Sequence, residues 1–134
     1  MNIPKYIKEI LKKEKLCTMA TCWKDEPYLS TMIFSYLDLE NKIILSTKKD
    51  SKKFYNIKKN KNVSLLIFSE KKELSITFVG TVEIVKNEKE KYYKEIHMNN
   101  NKRQQFISGD TISLMIFNIK KITVSNNKDE VKYY

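Results

Sequence analysis

STKKDSKKFYNI, at residues 46–57, is the stretch of sequence that decides the fold. It predicts the end of a strand, a short polar loop and the start of a helix. Asp50 or Ser51 can cap this helix, which puts Lys52 and Lys53 in the first turn, where backbone N–H groups have no partner within the helix. Lysines are normally favoured at the opposite end of a helix, so their position here predicts a bound anion such as a phosphate.

Motifs on both sides of this stretch resemble the pyridoxamine 5'-phosphate oxidase-like family of FMN-binding split β-barrels. Each motif is short, and it is their order and separation that make the resemblance specific. It runs from Leu16 to Val85, with a weaker echo at Ile112 to Val124. The matching segments are Leu16 to Thr21 followed by Glu26-Pro27, then Ser46-Thr47, Ser51-Lys52-Lys53, Asn60 to Leu66 and Phe78 to Val85.

The resemblance implies a mainly β fold, a split β-barrel with peripheral helices, in which residues 1–134 form a single domain. It also implies FMN as the cofactor and a homodimer with the flavin in a groove between two barrels. The phosphate is assigned to Lys52 and Lys53 with Ser46 and Thr47 nearby. The ring edge is assigned to the backbone of Thr31, Met32 and Ile33, and Ser75 falls where the family often has a side-chain amide facing the cofactor.

The sequence also departs from the better-known members of the family. Thr31 and Tyr36 stand where those members have basic residues that reach the phosphate, which leaves deazaflavin, haem or no cofactor open. True pyridoxamine phosphate oxidases hold their substrate with an Arg-x-His element near the C-terminus. The segment Ile119 to Tyr134 has neither Arg nor His, so we expect that this protein is not such an oxidase.

The charge of the chain points to anionic partners in general. The 134 residues include 26 Lys and Arg against 16 Asp and Glu, a formal net charge of +10. Such a surface attracts phosphates, nucleic acid or anionic lipid. Arg103 is the only arginine, and because arginine is the usual residue for bidentate base recognition, its scarcity counts against a protein that reads DNA sequence.

Hydrophobic periodicity predicts five or six strands with two or three helices, an arrangement that favours a small antiparallel barrel. Gly80 interrupts a clearly alternating strand and predicts a bulge or a close backbone approach. A polar tail, Ser125 to Tyr134, is expected at the surface. The predicted helices are Lys5 to Lys15, Ser51 to Lys59 and Asn87 to Met98, and the predicted strands are Leu16 to Trp23, Tyr28 to Leu37, Ile43 to Thr47, Val63 to Ser69, Leu74 to Ile84 and Thr111 to Val124.

The remaining candidates for chemistry have structural interpretations. His97 is the only histidine, and we expect it at the surface. Cys17 and Cys22 are an odd number of residues apart in one strand, so their side chains should point to opposite faces and form neither a disulfide nor a metal pair. No run is long enough to span a bilayer and no signal peptide is evident, so we expect a cytoplasmic protein with no membrane association.

The function that these observations favour is a flavin-dependent oxidoreductase acting on an unidentified small molecule. In such a protein the flavin carries the electrons, which explains why no acid–base set can be assembled from the sequence. Two alternatives stay open. One is a non-enzymatic barrel whose basic face binds nucleic acid or another anionic partner, and the other is a flavin or haem carrier without turnover.

Overall fold

Antiparallel strands dominate the structure, a computed structural model that describes residues 1–101, 109–128 and 130–134. The helices are α1 (Lys5–Lys13), α2 (Lys52–Lys59) and α3 (Glu88–Asn100), and a short 3₁₀ turn covers Asp38–Glu40. The strands are β1 (Leu16–Trp23), β2 (Glu26–Leu37), β3 (Lys42–Lys48), β4 (Asn62–Ser69), β5 (Leu74–Ile84), β6 (Ile112–Asn126) and β7 (Val131–Tyr133).

The strands form one sheet that closes on itself. Their order is β3-β2-β1-β4-β5-β6-β7, and an additional pairing of β3 with β6 completes the ring. The long strand β6 makes this possible, because residues 112–118 pair with β3 while residues 115–126 pair with β5. Closure satisfies the backbone groups that open edges would expose. The predicted mainly β split barrel is therefore confirmed.

In the hairpin of β1 and β2, strand β2 begins two residues earlier than the sequence predicted. Strand β2 starts at Glu26, which pairs with Trp23. Lys24 and Asp25 form the two-residue turn, and both have positive φ angles, 52° and 61°. Two positive φ angles in a two-residue loop match the twist of the flanking strands, so pairing continues to the end of the hairpin.

The barrel interior is filled by alternate residues of each strand. Met19, Leu65 and Phe78 are completely buried, and they come from β1, β4 and β5. The predicted irregularity at Gly80 is confirmed, since the register between β5 and β6 shifts between Val79 and Gly80. Helix α1 packs against β2 and α2 against β1, and both contribute side chains to the interior cluster. Helix α3 packs against β2, β3 and β6 through a separate apolar cluster.

Two boundaries differ from the predictions for identifiable reasons. Helix α1 ends at Lys13 rather than Lys15, because Glu14 already has an extended backbone. Strand β6 continues to Asn126, and part of the tail then returns as β7, in which Val131 pairs with Ser125. The side chains of β7 are exposed, as expected of the tail. Asp129 lies outside the described residues.

Candidate functional site

A cavity of about 260 Å³ lies where β2 and β3 meet the first turn of α2 and the start of β6. It contains most of the residues that the family resemblance singled out, although they come from separate parts of the chain. The closed barrel brings them together by pairing β2 with β3 directly. Six of the eight predicted site residues line this cavity, namely Thr31, Met32, Ile33, Ser46, Thr47 and Lys53.

Lys52 and Ser75 do not line the cavity. Lys52 is exposed and borders a separate depression beside the β1–β2 hairpin, together with Trp23 and Tyr28. Consecutive residues of a helix point about 100° apart, and in this structure Lys53 lines the cavity while Lys52 does not. Ser75 lies on β5, opposite Phe68 of β4 and Ser125 of β6.

The loop between β3 and α2 is fixed by hydrogen bonds among its own residues. Ser51, rather than Asp50, caps the helix, since its Oγ accepts a hydrogen bond from the Phe54 backbone N–H at 3.2 Å. The same hydroxyl donates to the carbonyl oxygen of Lys48 at 2.8 Å. Because that uses its one hydrogen, the 3.1 Å contact between Thr47 Oγ1 and Ser51 Oγ has Thr47 as donor. The first turn of α2 is thereby held against the cavity.

Two lysines of the described chain line the cavity, the exposed Lys48 and the half-buried Lys53. Burial lowers the pKa of the Lys53 ammonium group. No carboxylate of the described residues lies within ion-pair distance of Lys53. The ion pairs among the described residues are made by other lysines, namely Lys8, Lys12, Lys42 and Lys72. A partly desolvated cation beside a helix N-terminus, with no acidic partner, is complementary to an anion.

His97 was predicted at the surface, and that prediction is wrong. Its side chain is completely buried between α3 and the sheet. One ring nitrogen, Nδ1, lies 2.5 Å from the Ser35 hydroxyl and 3.2 Å from Asn101 Nδ2, while Nε2 lies 3.2 Å from Ser46 Oγ. Burial lowers the pKa of the imidazole to about 4, so His97 is neutral at pH 7.

Spacing along α3 is the signal that could have placed His97. Tyr93, His97 and Asn101 recur at intervals of four, which puts them on one helix face, and all three are buried. Tyr93 packs in an apolar cluster with Ile44 of β3 and Ile116 of β6. Most other residues of α3 are charged, so the hydrophobic pattern of the sequence did not indicate a buried face.

The two cysteine side chains lie on opposite faces of β1, as their spacing predicted. Cys17 is buried and Cys22 is partly exposed, and both are free thiols. Burial raises the pKa of the Cys17 thiol to about 12. Within the described ranges, no group of three or more His, Cys, Asp or Glu side chains could hold a metal ion. None of the described helices is long and apolar enough to cross a membrane.

Beside the cavity, the outer side of the sheet forms a nearly uncharged surface, which we call the open face. Residues paired directly across antiparallel strands share one side of a sheet, so the pairing defines its rows. Leu66 and Phe68 are 42% and 55% exposed there. The rows are Thr31, Thr18, Leu66, Thr77, Thr123 and Tyr133; Leu29, Ala20, Ser64, Val79 and Lys121; and Phe68, Ser75, Ser125 and Val131, with Lys121 as the one charged member.

Comparison with known proteins gives a family match over most of the chain. A family model described as pyridoxamine 5'-phosphate oxidase matches residues 3–128. A Schizosaccharomyces pombe protein described as a pyridoxamine 5'-phosphate oxidase homolog is 27% identical over 165 residues, which cover 95% of this chain and 87% of that protein.

Solved structures share the fold at low sequence identity. A protein from Clostridium acetobutylicum is related to general stress protein 26, of the pyridoxinephosphate oxidase family, and has a TM-score of 0.75 at 18% identity. The match covers 96% of this chain and 91% of that protein. A heme binding protein from Mycobacterium smegmatis has a TM-score of 0.80 at 13% identity. That match covers all of this chain but 59% of the mycobacterial protein.

Proposed function

This chain belongs to the pyridoxamine 5'-phosphate oxidase family, and we propose that it is an FMN-binding flavoprotein that acts as an oxidoreductase on a small molecule. The observation that carries this proposal is Lys53, a half-buried ammonium group that lines the cavity with no carboxylate partner among the described residues. An uncompensated cation that is partly withdrawn from water is costly. A dianionic phosphate in the cavity would neutralise it.

The donors around the cavity fit a phosphate group. Lys53 supplies a charge-assisted hydrogen bond. The first backbone N–H groups of α2, which have no partner within the helix, lie at the same N-terminal end as Lys53. Ser46 and Thr47 place hydroxyl groups at the end of β3, and the Thr47 hydroxyl would have to give up its hydrogen bond to Ser51 in order to donate to a phosphate. Together these groups form an anion site on the terminus of a helix whose start is already ordered by the Ser51 cap.

The rest of the cavity suits a flat ring system. Met32 and Ile33 are buried side chains of β2 at the cavity wall, and the backbone of Thr31 to Ile33 would lie along the ring edge. Bound there, FMN would supply hydride and electron transfer, while this chain would position it and exclude water. We assign no acid–base residue to the cavity.

Haem fits these residues less well than flavin. Haem iron takes an axial ligand such as histidine, cysteine, methionine or tyrosine. The only histidine is His97, which is completely buried with hydrogen-bond partners at both ring nitrogens. Met32 is the residue of these four types that lines the cavity, and it is 3% exposed. The carboxylates of haem could pair with Lys53 as a phosphate would, so it is the axial ligand alone that disfavours haem.

A second copy of this chain would complete the site. At about 260 Å³, the cavity is smaller than the roughly 300–1,000 Å³ of ordinary ligand pockets, so one chain provides only part of a wall. The uncharged open face begins at Thr31, beside the cavity, and two copies of a chain with net charge +10 can approach most easily across such a face. We therefore propose a symmetric homodimer.

Ser75 supports the same arrangement. It lies on the open face but on β5, three strands away from Thr31, a separation of roughly 14 Å at the usual strand spacing. Within one chain it stands apart from the residues that line the cavity. In a dimer formed through the open face, Ser75 of a second copy could approach the cofactor, as the family resemblance implies.

Oxidation of pyridoxamine phosphate itself is not proposed. A phosphorylated substrate would need a second anion grip on the far side of the flavin. The C-terminal segment Ile119 to Tyr134 provides lysines but no arginine or histidine for it. Flavin-loaded protein should therefore show no saturable turnover of pyridoxamine phosphate or pyridoxine phosphate above that of free FMN in an oxygen-consumption assay.

The absorption spectrum of freshly purified protein tests the proposed cofactor. Flavin bands near one FMN per chain, or tight binding when FMN is added to colourless protein, support the proposal. A Soret band would favour a haem carrier. Colourless protein that ignores FMN but retards nucleic acid in a gel would favour the non-enzymatic basic barrel and overturn the proposal.

A further inference from the structure

We propose that the depression beside the β1–β2 hairpin is a nucleotide-binding subsite, which holds an adenosine phosphate next to the site of the flavin phosphate. The inference deepens the proposed function, and its link to the flavin rests on that function. The depression has a volume of about 420 Å³, within the roughly 300–1,000 Å³ of ordinary ligand pockets. Its walls come from the hairpin and from helix α2.

Two aromatic side chains of the hairpin line the depression on the side that faces α2. Trp23 pairs with Glu26, and Thr21 pairs with Tyr28, so Trp23 and Tyr28 are diagonal neighbours on one side of the hairpin. Asn56 of α2 donates a hydrogen bond to the Thr21 hydroxyl at 3.1 Å, which identifies this side as the one toward the helix. A flat ring in the depression can therefore contact both aromatic side chains.

Both aromatic side chains are available for stacking. Trp23 is partly exposed and Tyr28 is 41% exposed. The aromatic ring contact found in the described part of the chain lies elsewhere, between Tyr92 and Tyr93. Proteins commonly stack nucleobases on such exposed aromatic rings, because every base has a flat π face. The two rings therefore favour a flat heterocycle as the ligand.

Asn56 provides a polar group at the base of the depression. Its side chain is 1% exposed, and its Oδ1 has no hydrogen-bond partner among the described residues. A buried amide end without a partner is costly. Adenine carries an amino donor and a ring-nitrogen acceptor side by side on one edge, so it can supply the hydrogen bond that this amide lacks.

Charged side chains at the rim match the sugar and the phosphate of a nucleotide. Neither Lys52 nor Asp25 or Glu26 takes part in the ion pairs of the described residues. Carboxylates accept hydrogen bonds from ribose hydroxyls, and a lysine ammonium group binds phosphate as a point charge. An aromatic cation would also suit the rings and the carboxylates, but it would meet the like charge of Lys52.

The depression adjoins the cavity proposed for the flavin phosphate. Lys52 lines the depression and Lys53 lines the cavity, and consecutive Cα atoms are about 3.8 Å apart. On β2, Tyr28 lines the depression and Met32 lines the cavity. Ser30 lies between them on the same side of the strand, and its buried hydroxyl oxygen has no partner within residues 1–101, 109–128 and 130–134. A pyrophosphate that contacts both lysines would place an adenosine group in the depression.

Two ligands bring an adenosine phosphate to this position. One is FAD, in which it is joined to the flavin, and the other is a separate adenine nucleotide that binds beside FMN. Either can enter from the side of the hairpin opposite the open face, because Leu29 belongs to that face and its neighbour Tyr28 points the other way.

Dissociation constants of FAD and FMN test the subsite in the complete protein. We expect the wild type to bind FAD about tenfold or more tightly than FMN, because stacking and a phosphate contact are added. Tyr28→Leu should weaken FAD roughly fivefold or more, the lower end of base stacking, and FMN less than about twofold. Tyr92→Leu is the matched control, since this tyrosine is 51% exposed on α3 outside the depression, and it should change neither constant.

AMP distinguishes the two sources of the nucleotide. Saturable binding of AMP to FMN-loaded protein, weakened in Tyr28→Leu and Lys52→Ala, indicates a separate nucleotide. An FAD preference without AMP binding to the FMN-loaded protein indicates FAD. Lys52→Ala, at an exposed position, gives the same comparison of FAD with FMN should Tyr28→Leu fail to fold.

The failures are distinguishable. Wild-type protein that binds FMN, shows no preference for FAD and does not bind AMP overturns the subsite alone. Equal losses of FAD and FMN in Tyr28→Leu, or an FAD preference that survives both variants, also overturn the subsite. Protein that binds AMP but no flavin overturns the proposed function and leaves the subsite, and protein that binds neither overturns both.

Discussion

The backbone at Gly80 lies so close to Asn118 that a Cβ atom added at Gly80 would stand 1.9 Å from the Asn118 carbonyl oxygen. The contact occurs where the register between β5 and β6 shifts. It explains why a strand that otherwise alternates regularly carries a residue without a side chain. Here the obstacle is backbone of a closed barrel, which cannot yield as a flexible side chain would.

Gly80→Ala should therefore be strongly destabilising, by at least about 3 kcal/mol at the upper end of overpacking effects. Gly109→Ala is the matched control, because a Cβ there has nothing within 4 Å and meets only the strain of a positive φ of 119°, about 1–3 kcal/mol. Urea unfolding of both variants measures the difference. Equal free energies of unfolding would show that β5 and β6 can separate at little cost.

The bulge at Gly80 was predictable because it follows from one residue and its immediate neighbours. The same holds for the β1–β2 hairpin and the capped start of α2, in which local periodicity and turn chemistry agree. The burial of His97 was not predictable in this way. It depends on Ser35 and Ser46, which lie more than fifty positions earlier on paired strands.

The candidate site likewise combines features that the sequence could predict with features that depend on tertiary packing. Thr31 to Ile33, Ser46 and Thr47 are brought to one cavity by strand pairing, as the family resemblance implied. The separation of Lys52 from Lys53 was accessible from helix geometry alone, since adjacent residues diverge by about 100°. Which of the two faces the cavity, however, depends on how α2 packs against β1.

Replacing Lys53 should weaken FMN binding far more than replacing Lys52. A charge-assisted hydrogen bond contributes roughly 1.5–3 kcal/mol, so Lys53→Ala should raise the dissociation constant of FMN about 10- to 100-fold. Lys52→Ala removes the same charge from the exposed neighbour and should cost no more than a few fold. Fluorescence titration of both variants gives the two constants. A larger loss for Lys52→Ala would contradict the assignment of the cavity.

Acid should destabilise the protein through His97. The imidazole pKa is about 6.5 in an unfolded chain and about 4 in the folded one, so between these values the unfolded state binds more protons. Stability is complete above pH 6.5 and falls as the pH approaches 4. From pH 7 to 4.5 the loss should be about 2–3 kcal/mol.

His97→Gln serves as the control for this pH effect, because carboxylates that titrate nearby are common to both proteins. Urea unfolding at pH 7 and pH 4.5 should show a smaller loss of unfolding free energy for the variant than for the wild type. The difference between the two losses is the contribution of His97. If wild-type protein and variant lose stability in parallel, the imidazole is protonated as readily in the folded state as in water.

A charge placed in the open face should separate the proposed dimer. Leu66 is 42% exposed and lies in the middle row of that face, opposite Thr18 and Thr77. Leu66→Lys would bury an unpaired ammonium group between two copies, which costs several kcal/mol, whereas Leu39→Lys adds the same charge at a 96% exposed position of the 3₁₀ turn. By sedimentation velocity we expect twice the monomer mass for wild type and Leu39→Lys, and the monomer mass for Leu66→Lys.

Leu66→Lys also tests whether FMN binding depends on dimer formation. Because a second copy is proposed to complete the site, separation of the copies should release the flavin even though Lys53, Ser46 and Thr47 are untouched. FMN affinity and dimer content should therefore fall together as protein concentration is lowered, and both should persist in Leu39→Lys. A wild-type monomer that holds FMN at micromolar concentration would show that one barrel suffices, and that the uncharged open face has another role.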